Sequence, residues 1–279
     1  MKYRFVCGIA VASAAALVAL RLWQYLWIID VSSGFFTRFS PTIPVMYGIM
    51  GAVFVISAVA AFADKTFLID LPSLPPRARI LGLVLLLAGA ANMFSSAFST
   101  PDAFLNASRD AKTMIAVILG FAASAVLLYY GVRLITGHSL SASGRVLPLL
   151  PMAWATVRLL ITFMHNATVL PISENLLTLL SLVAMAIYFL YFAFAVAGTE
   201  TKLSRRCFFI FGITGFVLIA TNTLGMLTAA SAHAFYELEP DWYITRVADL
   251  LTAIVMLSTA LYTAFARKPI PAAQDETAQ

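Results

Sequence analysis

Two arginines stand in the middle of long apolar runs, Arg21 in the first and Arg158 in the fifth. A charge at such a place costs from about 2.5 kcal/mol upward in hydrocarbon, so it persists only where it meets other helices or water. A guanidinium is also the preferred fork for a carboxylate or phosphate. Counted at 1.5 Å per residue from the nearer run end, Arg21 lies roughly 12 Å deep and Arg158 roughly 10 Å. Asn92 and Asn222 lie at roughly 10–12 Å, and Asp249 at roughly 9 Å, from the same side.

Arg246 and Asp249 are three apart, so they share a helix face and can pair; Arg21 and Gln24 have the same spacing. Arg109-Asp110 repeats the chemistry before the fourth run, and Glu174-Asn175 opens the sixth. Two uses of this layer compete. In one, Arg21 and Arg158 clamp an anionic group, Arg109 and Arg246 guide it in, and Asp249 takes a proton. In the other, the arginines pair with Asp249, Glu174 or Asp110 and fix helix register, each contact adding about 0.6–2 kcal/mol.

The elements that must hold these groups follow from composition. Hydrophobic residues make up 61% of the 279 positions and charged residues 11%, about half the charge of a soluble chain. About 20 apolar residues cross the hydrocarbon of a bilayer. Eight runs meet or approach that length: Phe5–Ile29, Pro44–Ala63, Ile80–Ser99, Thr113–Ile135, Val146–His165, Ser173–Ala197, Cys207–Ala230 and Tyr243–Ala266. The sequence predicts an all-α, polytopic membrane bundle of about eight helices. The first run follows Lys2 and Arg4 as a signal peptide would, but its length predicts a retained span.

Twelve Lys and Arg fall on the side shared by the two termini and four on the other, which predicts cytoplasmic termini in a plasma or bacterial inner membrane. Arg21 and Arg158 are 137 apart, and so are Arg109 and Arg246; Asn92 and Asn222 differ by 130. These offsets predict two tandem four-helix units, 1–138 and 139–267, related by a pseudo-twofold axis along the membrane normal. Residues 268–279 are expected to form a short disordered cytoplasmic tail.

Gly48-x-x-Gly51, Gly212-x-x-Gly215 and the alanines from Ala10 to Ala16 predict close helix contacts. Trp23, Trp27 and Trp242 read as interfacial residues. His165 and His233, with Glu237, Glu239 and Asp241, are too loosely spaced to support a metal site, and Cys7 and Cys207 support no disulfide. No phosphate loop, zinc-protease motif or nucleophile elbow occurs, so no cofactor or catalytic residue is expected.

The basic groups are dispersed between apolar runs, which speaks against nucleic acid. The sequence therefore points to a carrier or binding protein for a small anionic solute or lipid head group, entered from the outer face. The alternative is a non-catalytic subunit or scaffold with a membrane-protein partner or in a homo-oligomer. A membrane enzyme comes third.

Overall fold

The computed structural model describes residues 2–28, 40–63, 78–100, 111–138, 140, 146–166, 173–199, 201–233 and 240–265. They form eight helices: α1 Lys2–Trp27, α2 Thr42–Ala63, α3 Arg79–Phe98, α4 Ala111–Ile135, α5 Leu149–Asn166, α6 Ser173–Ala197, α7 Lys202–His233 and α8 Pro240–Phe265. Each coincides with one expected run. Seven are long and apolar enough to cross a membrane, whereas α5 is apolar only over Leu149–Met164. At 1.5 Å per residue its 18 positions span about 27 Å, just under the hydrocarbon thickness. The protein is a helical, multi-pass membrane bundle.

Local chemistry sets several helix ends. α4 and α6 stop at Gly137 and Gly198, whose φ values of 80° and 68° few other residues adopt. In each case the next amide reaches back to close the turn, His138 N–H to Arg133 C=O at 2.9 Å and Thr199 N–H to Phe194 C=O at 3.1 Å. At the start of α7, Thr201 and Ser204 cap each other reciprocally: Thr201 N–H donates to Ser204 Oγ at 2.8 Å, and Ser204 N–H to Thr201 Oγ1 at 3.1 Å.

Neighbour relations close a ring. α3 packs on α4, α4 on α5, α5 on α6, α6 on α7, α7 on α8, and α8 back on α3. α1 and α2 pack on each other and on α7 from outside the ring. α1 also touches α8. Neighbours thus cross the expected 138/139 boundary freely: α7 and α8 hold α1–α2 and α3–α4, which are not themselves neighbours.

The α3–α4 seam is the tightest. A Cβ on Gly82 would sit 2.9 Å from Gly131 O, and one on Gly89 would sit 2.9 Å from Leu128 N. Of the expected glycine contacts, Gly212 and Gly215 do face α8, where a Cβ on either meets Met256. Gly48 and Gly51 do not: a Cβ on either meets nothing within 4 Å, because α2 is peripheral and this face turns outward. Of the alanine run, Ala10 and Ala14 are buried while Ala12, Ala15 and Ala16 are exposed.

One end of the ring is filled by aromatic side chains. Tyr188 stacks on Phe208 with ring centres 5.1 Å apart, Phe192 meets Tyr130 at 6.0 Å, and the Tyr188 and Thr259 hydroxyls bond at 2.8 Å. Tyr130, Tyr188, Phe189, Phe192 and Phe208 are all buried.

Candidate functional site

Ten residues along α8 from Thr259, about 15 Å towards the opposite end, the interior is polar. Asp249 on α8 receives both arms of Arg158 on α5, Nη1 to Oδ1 at 2.7 Å and Nη2 to Oδ2 at 3.1 Å. This parallel two-bond geometry is the strongest form of the Arg–carboxylate contact. α5 and α8 are not packing neighbours, so the two side chains bridge the ring. The guanidinium carbon lies 4.9 Å from the centre of the Trp154 ring, one turn before Arg158 on α5.

Glycine makes room for this stack. A Cβ on Gly120 of α4 would sit 3.2 Å from Trp154 Nε1 and run into Ser96 Oγ of α3. The Arg158 side chain remains 20% exposed and that of Asp249 9%. Thr156, Val157, Arg158 and Leu159 together face every side of α5, and each is partly exposed. On α7 near this level Thr221, Asn222 and Thr223 are all buried.

Around the pair, α8 is tied to α3 by hydroxyl and amide contacts. Asn92 Nδ2 donates to Thr252 Oγ1 at 3.1 Å and to Ala88 O at 2.8 Å, while Ser95 and Thr245 hydroxyls bond at 2.8 Å. Thr245 and Thr252 flank Asp249 by one turn on either side. Arg246 lies over Trp242, 5.5 Å from its ring centre. Asn222 takes a different neighbour: its Nδ2 donates to Thr178 Oγ1 of α6 at 3.1 Å, and its Oδ1 has no hydrogen bond among the described residues.

Arg21 lies outside the ring, in the seam between α1 and α7. It continues the buried stripe Tyr3, Cys7, Ala10, Ala14 and Leu17, whose spacing of three and four residues marks the packed face of α1. Its side chain is fully buried, with Nη1 donating to Gln24 Oε1 at 3.0 Å and Nη2 to Tyr25 Oη at 3.5 Å. Gln24 passes the contact on to Thr42 Oγ1 of α2 at 3.0 Å. A Cβ on Gly225 would sit 2.6 Å from Arg21 Cγ, so glycine admits the arginine stem.

The structure therefore brings Arg158 and Asp249 together, and Asn92 beside them through Thr252. It does not join Arg21 to Arg158: α1 and α5 are not neighbours, and the two guanidinium groups hold different partners. Arg109 and Asp110 lie outside the described residues, as do the side chains of Glu174, His165 and His233. The sequence reading missed Trp154, for which its place one turn before Arg158 on α5 was the available signal. Thr245, Thr252, Gly120 and Gly225 carried no such signal, since threonine and glycine are ordinary in membrane helices. No cluster of three metal-ligating side chains occurs among the described residues. Compared with known proteins, the chain matches no family model, no curated protein sequence and no solved structure.

Proposed function

We propose that this membrane protein binds or carries a small anionic group, on a solute or a lipid head group, and that Arg158 in the ring interior is where it is held. The observation that carries the reading is the two-armed Arg158–Asp249 contact, which bridges non-neighbouring helices while Arg158 stays partly exposed. That fork already holds a carboxylate in a geometry that an incoming anion can copy. The aromatic layer around Tyr188 and Phe192 closes the far end of the ring, which favours approach from the end that carries Trp27 and Trp242.

A second reading, a scaffold without a ligand, draws on the polar bonds that tie α8 to three other helices through Asp249, Thr245, Thr252 and Thr259. On that reading the layer only fixes packing. Thermal unfolding of the purified protein in detergent, with acetate, succinate or inorganic phosphate added, separates the two. Stabilisation of the native chain by one of these anions, lost in Arg158→Gln, is expected. A ligand response that is unchanged in a folded Arg158→Gln variant removes the site and leaves the scaffold.

A further inference from the structure

Two neighbouring side chains on α7 differ in what they can do for themselves. Thr221 Oγ1 and Asn222 Oδ1 both lie buried without a hydrogen bond among the described residues. A threonine hydroxyl can turn to donate to a carbonyl of its own helix. An amide oxygen only accepts, so Asn222 Oδ1 needs a donor from elsewhere. The Nδ2 of the same amide is held by Thr178 Oγ1 of α6 at 3.1 Å.

Packing further along the same helices places this oxygen. A Cβ on Gly215 of α7 would meet Met256 of α8 and Ala184 of α6, so that face of α7 looks between α6 and α8. Asn222 is seven residues on from Gly215, two turns along, and stands on the same face. On α8, which runs antiparallel, seven residues back from Met256 is Asp249. Asn222 and Asp249 therefore share one level on facing sides of neighbouring helices. The bond from Asn222 to Thr178 agrees with this register, because Thr178 precedes Ala184 by six residues on α6. Asp249 in turn holds Arg158. A guanidinium carries five N–H bonds and Asp249 takes one from each Nη, which leaves three for an incoming anion while the ion pair stays in place.

We infer that Asn222 is a second contact of the bound molecule and that the ligand is a hydroxycarboxylate. Its carboxylate lies on the remaining N–H bonds of Arg158, and its hydroxyl donates to Asn222 Oδ1. Donors and acceptors match at both ends. Arg158 can only donate and a carboxylate only accepts, whereas Asn222 Oδ1 only accepts and a hydroxyl supplies the hydrogen. A carboxylate without a hydroxyl leaves the buried oxygen unpaired, and a site built to bond a substrate hydroxyl rejects the analogue that lacks it. The inference deepens the anion-binding reading above and rests on it.

Calorimetric titration of the full chain in detergent tests it with paired probes. Acetate against glycolate and butyrate against 3-hydroxybutyrate come from water; laurate against 2-hydroxylaurate comes from the membrane. Expected is binding about tenfold tighter for the hydroxylated member of a pair, the worth of one hydrogen bond to a buried acceptor. A preference within a water-borne pair assigns an aqueous ligand, and a preference within the lauric pair alone assigns a lipid one. Asn222→Leu, close in size and without the acceptor, is expected to bind both members of a pair alike, whereas Arg158→Gln loses both. Equal or weaker binding of the hydroxylated member in every pair, on the native chain, overturns the inference and spares the anion site, whether or not Asn222→Leu folds. A tenfold preference that persists in folded Asn222→Leu also overturns it. Binding of no member of any pair overturns both readings.

Discussion

Arg21 and Arg158 have similar sequence surroundings and stand at similar distances from the ends of their apolar runs, yet they occupy opposite kinds of place. Arg21 is sealed in the seam between α1 and α7, holding Gln24 and Tyr25 of its own helix. Arg158 reaches across the ring to Asp249 of another helix and stays 20% exposed. The difference lies in the partner helix. α7 meets α1 with glycine at position 225, which lets the helices close around the arginine stem. α8 does not approach α5 closely, so only two long side chains span the gap. Intramembrane arginine thus marks a close helix seam in one region and an ion pair reaching across the ring in the other.

The largest effect expected is at the open arginine. Asp249→Ala leaves Arg158 partly buried without the carboxylate that holds both its arms, a loss of about 3–5 kcal/mol. Denaturant unfolding in detergent measures it. Removing both partners in Arg158→Leu with Asp249→Ala is expected to recover part of that loss, because the stranded charge disappears with its partner. A double variant as unstable as the two single losses added together would mean that the pair does not act as a unit.

At the sealed arginine the weak point is the glycine opposite. Gly225→Val puts a branched side chain where Arg21 Cγ and Cβ already lie, at 2.6 and 3.1 Å from the first added atom. Overpacking of this kind is expected to cost about 1–3 kcal/mol. Thermal unfolding should fall while the response to a bound carboxylate is retained. Loss of ligand response in a folded Gly225→Val variant would join the two regions that the structure separates.

Between these lies the α3–α8 contact, where Asn92→Ala removes the bond to Thr252 and is expected to cost about 0.6–2 kcal/mol. Chemical unfolding reads this directly, and a change below about 0.3 kcal/mol would mean that Thr252, which also bonds Ala248 O, needs no partner from α3.

The sequence was a good guide to level and a poor one to enclosure. Run length and the rise per residue place Arg21, Arg158, Asn92, Asn222 and Asp249 in one layer. For three of them the cross-helix contacts agree, with Arg158 meeting Asp249 and Asn92 meeting Thr252 three residues further along α8. Depth is a one-dimensional property that a single chain carries. Which helices face each other is not, and it depends on small residues whose local signal is weak. Gly48-x-x-Gly51 and Gly212-x-x-Gly215 are identical as patterns, yet only the second packs against a neighbour. Gly82 and Gly131, which set the tightest seam, belong to no such pattern. For the same reason the constant offset of 137 between the two arginines says nothing of their different surroundings.

The smallest expected effect on stability is the most specific probe of the open region. Trp154 lies with its ring under the Arg158 guanidinium, a contact that contributes about 0.5–1 kcal/mol at a partly exposed site. Phenylalanine keeps a ring there but offers a weaker face, so Trp154→Phe should shift unfolding by only a fraction of that. The substitution has a larger consequence for spectroscopy. If an anion binds at Arg158, the charge distribution beside the indole changes, whereas Trp23 and Trp27 lie on α1 and Trp242 lies against Arg246, two turns before Asp249 on α8. Carboxylate addition is therefore expected to change the native protein's tryptophan emission and to leave that of Trp154→Phe unaltered. An emission change that survives in Trp154→Phe would place the bound carboxylate away from Arg158, and Arg158 would then differ from Arg21 only in its packing.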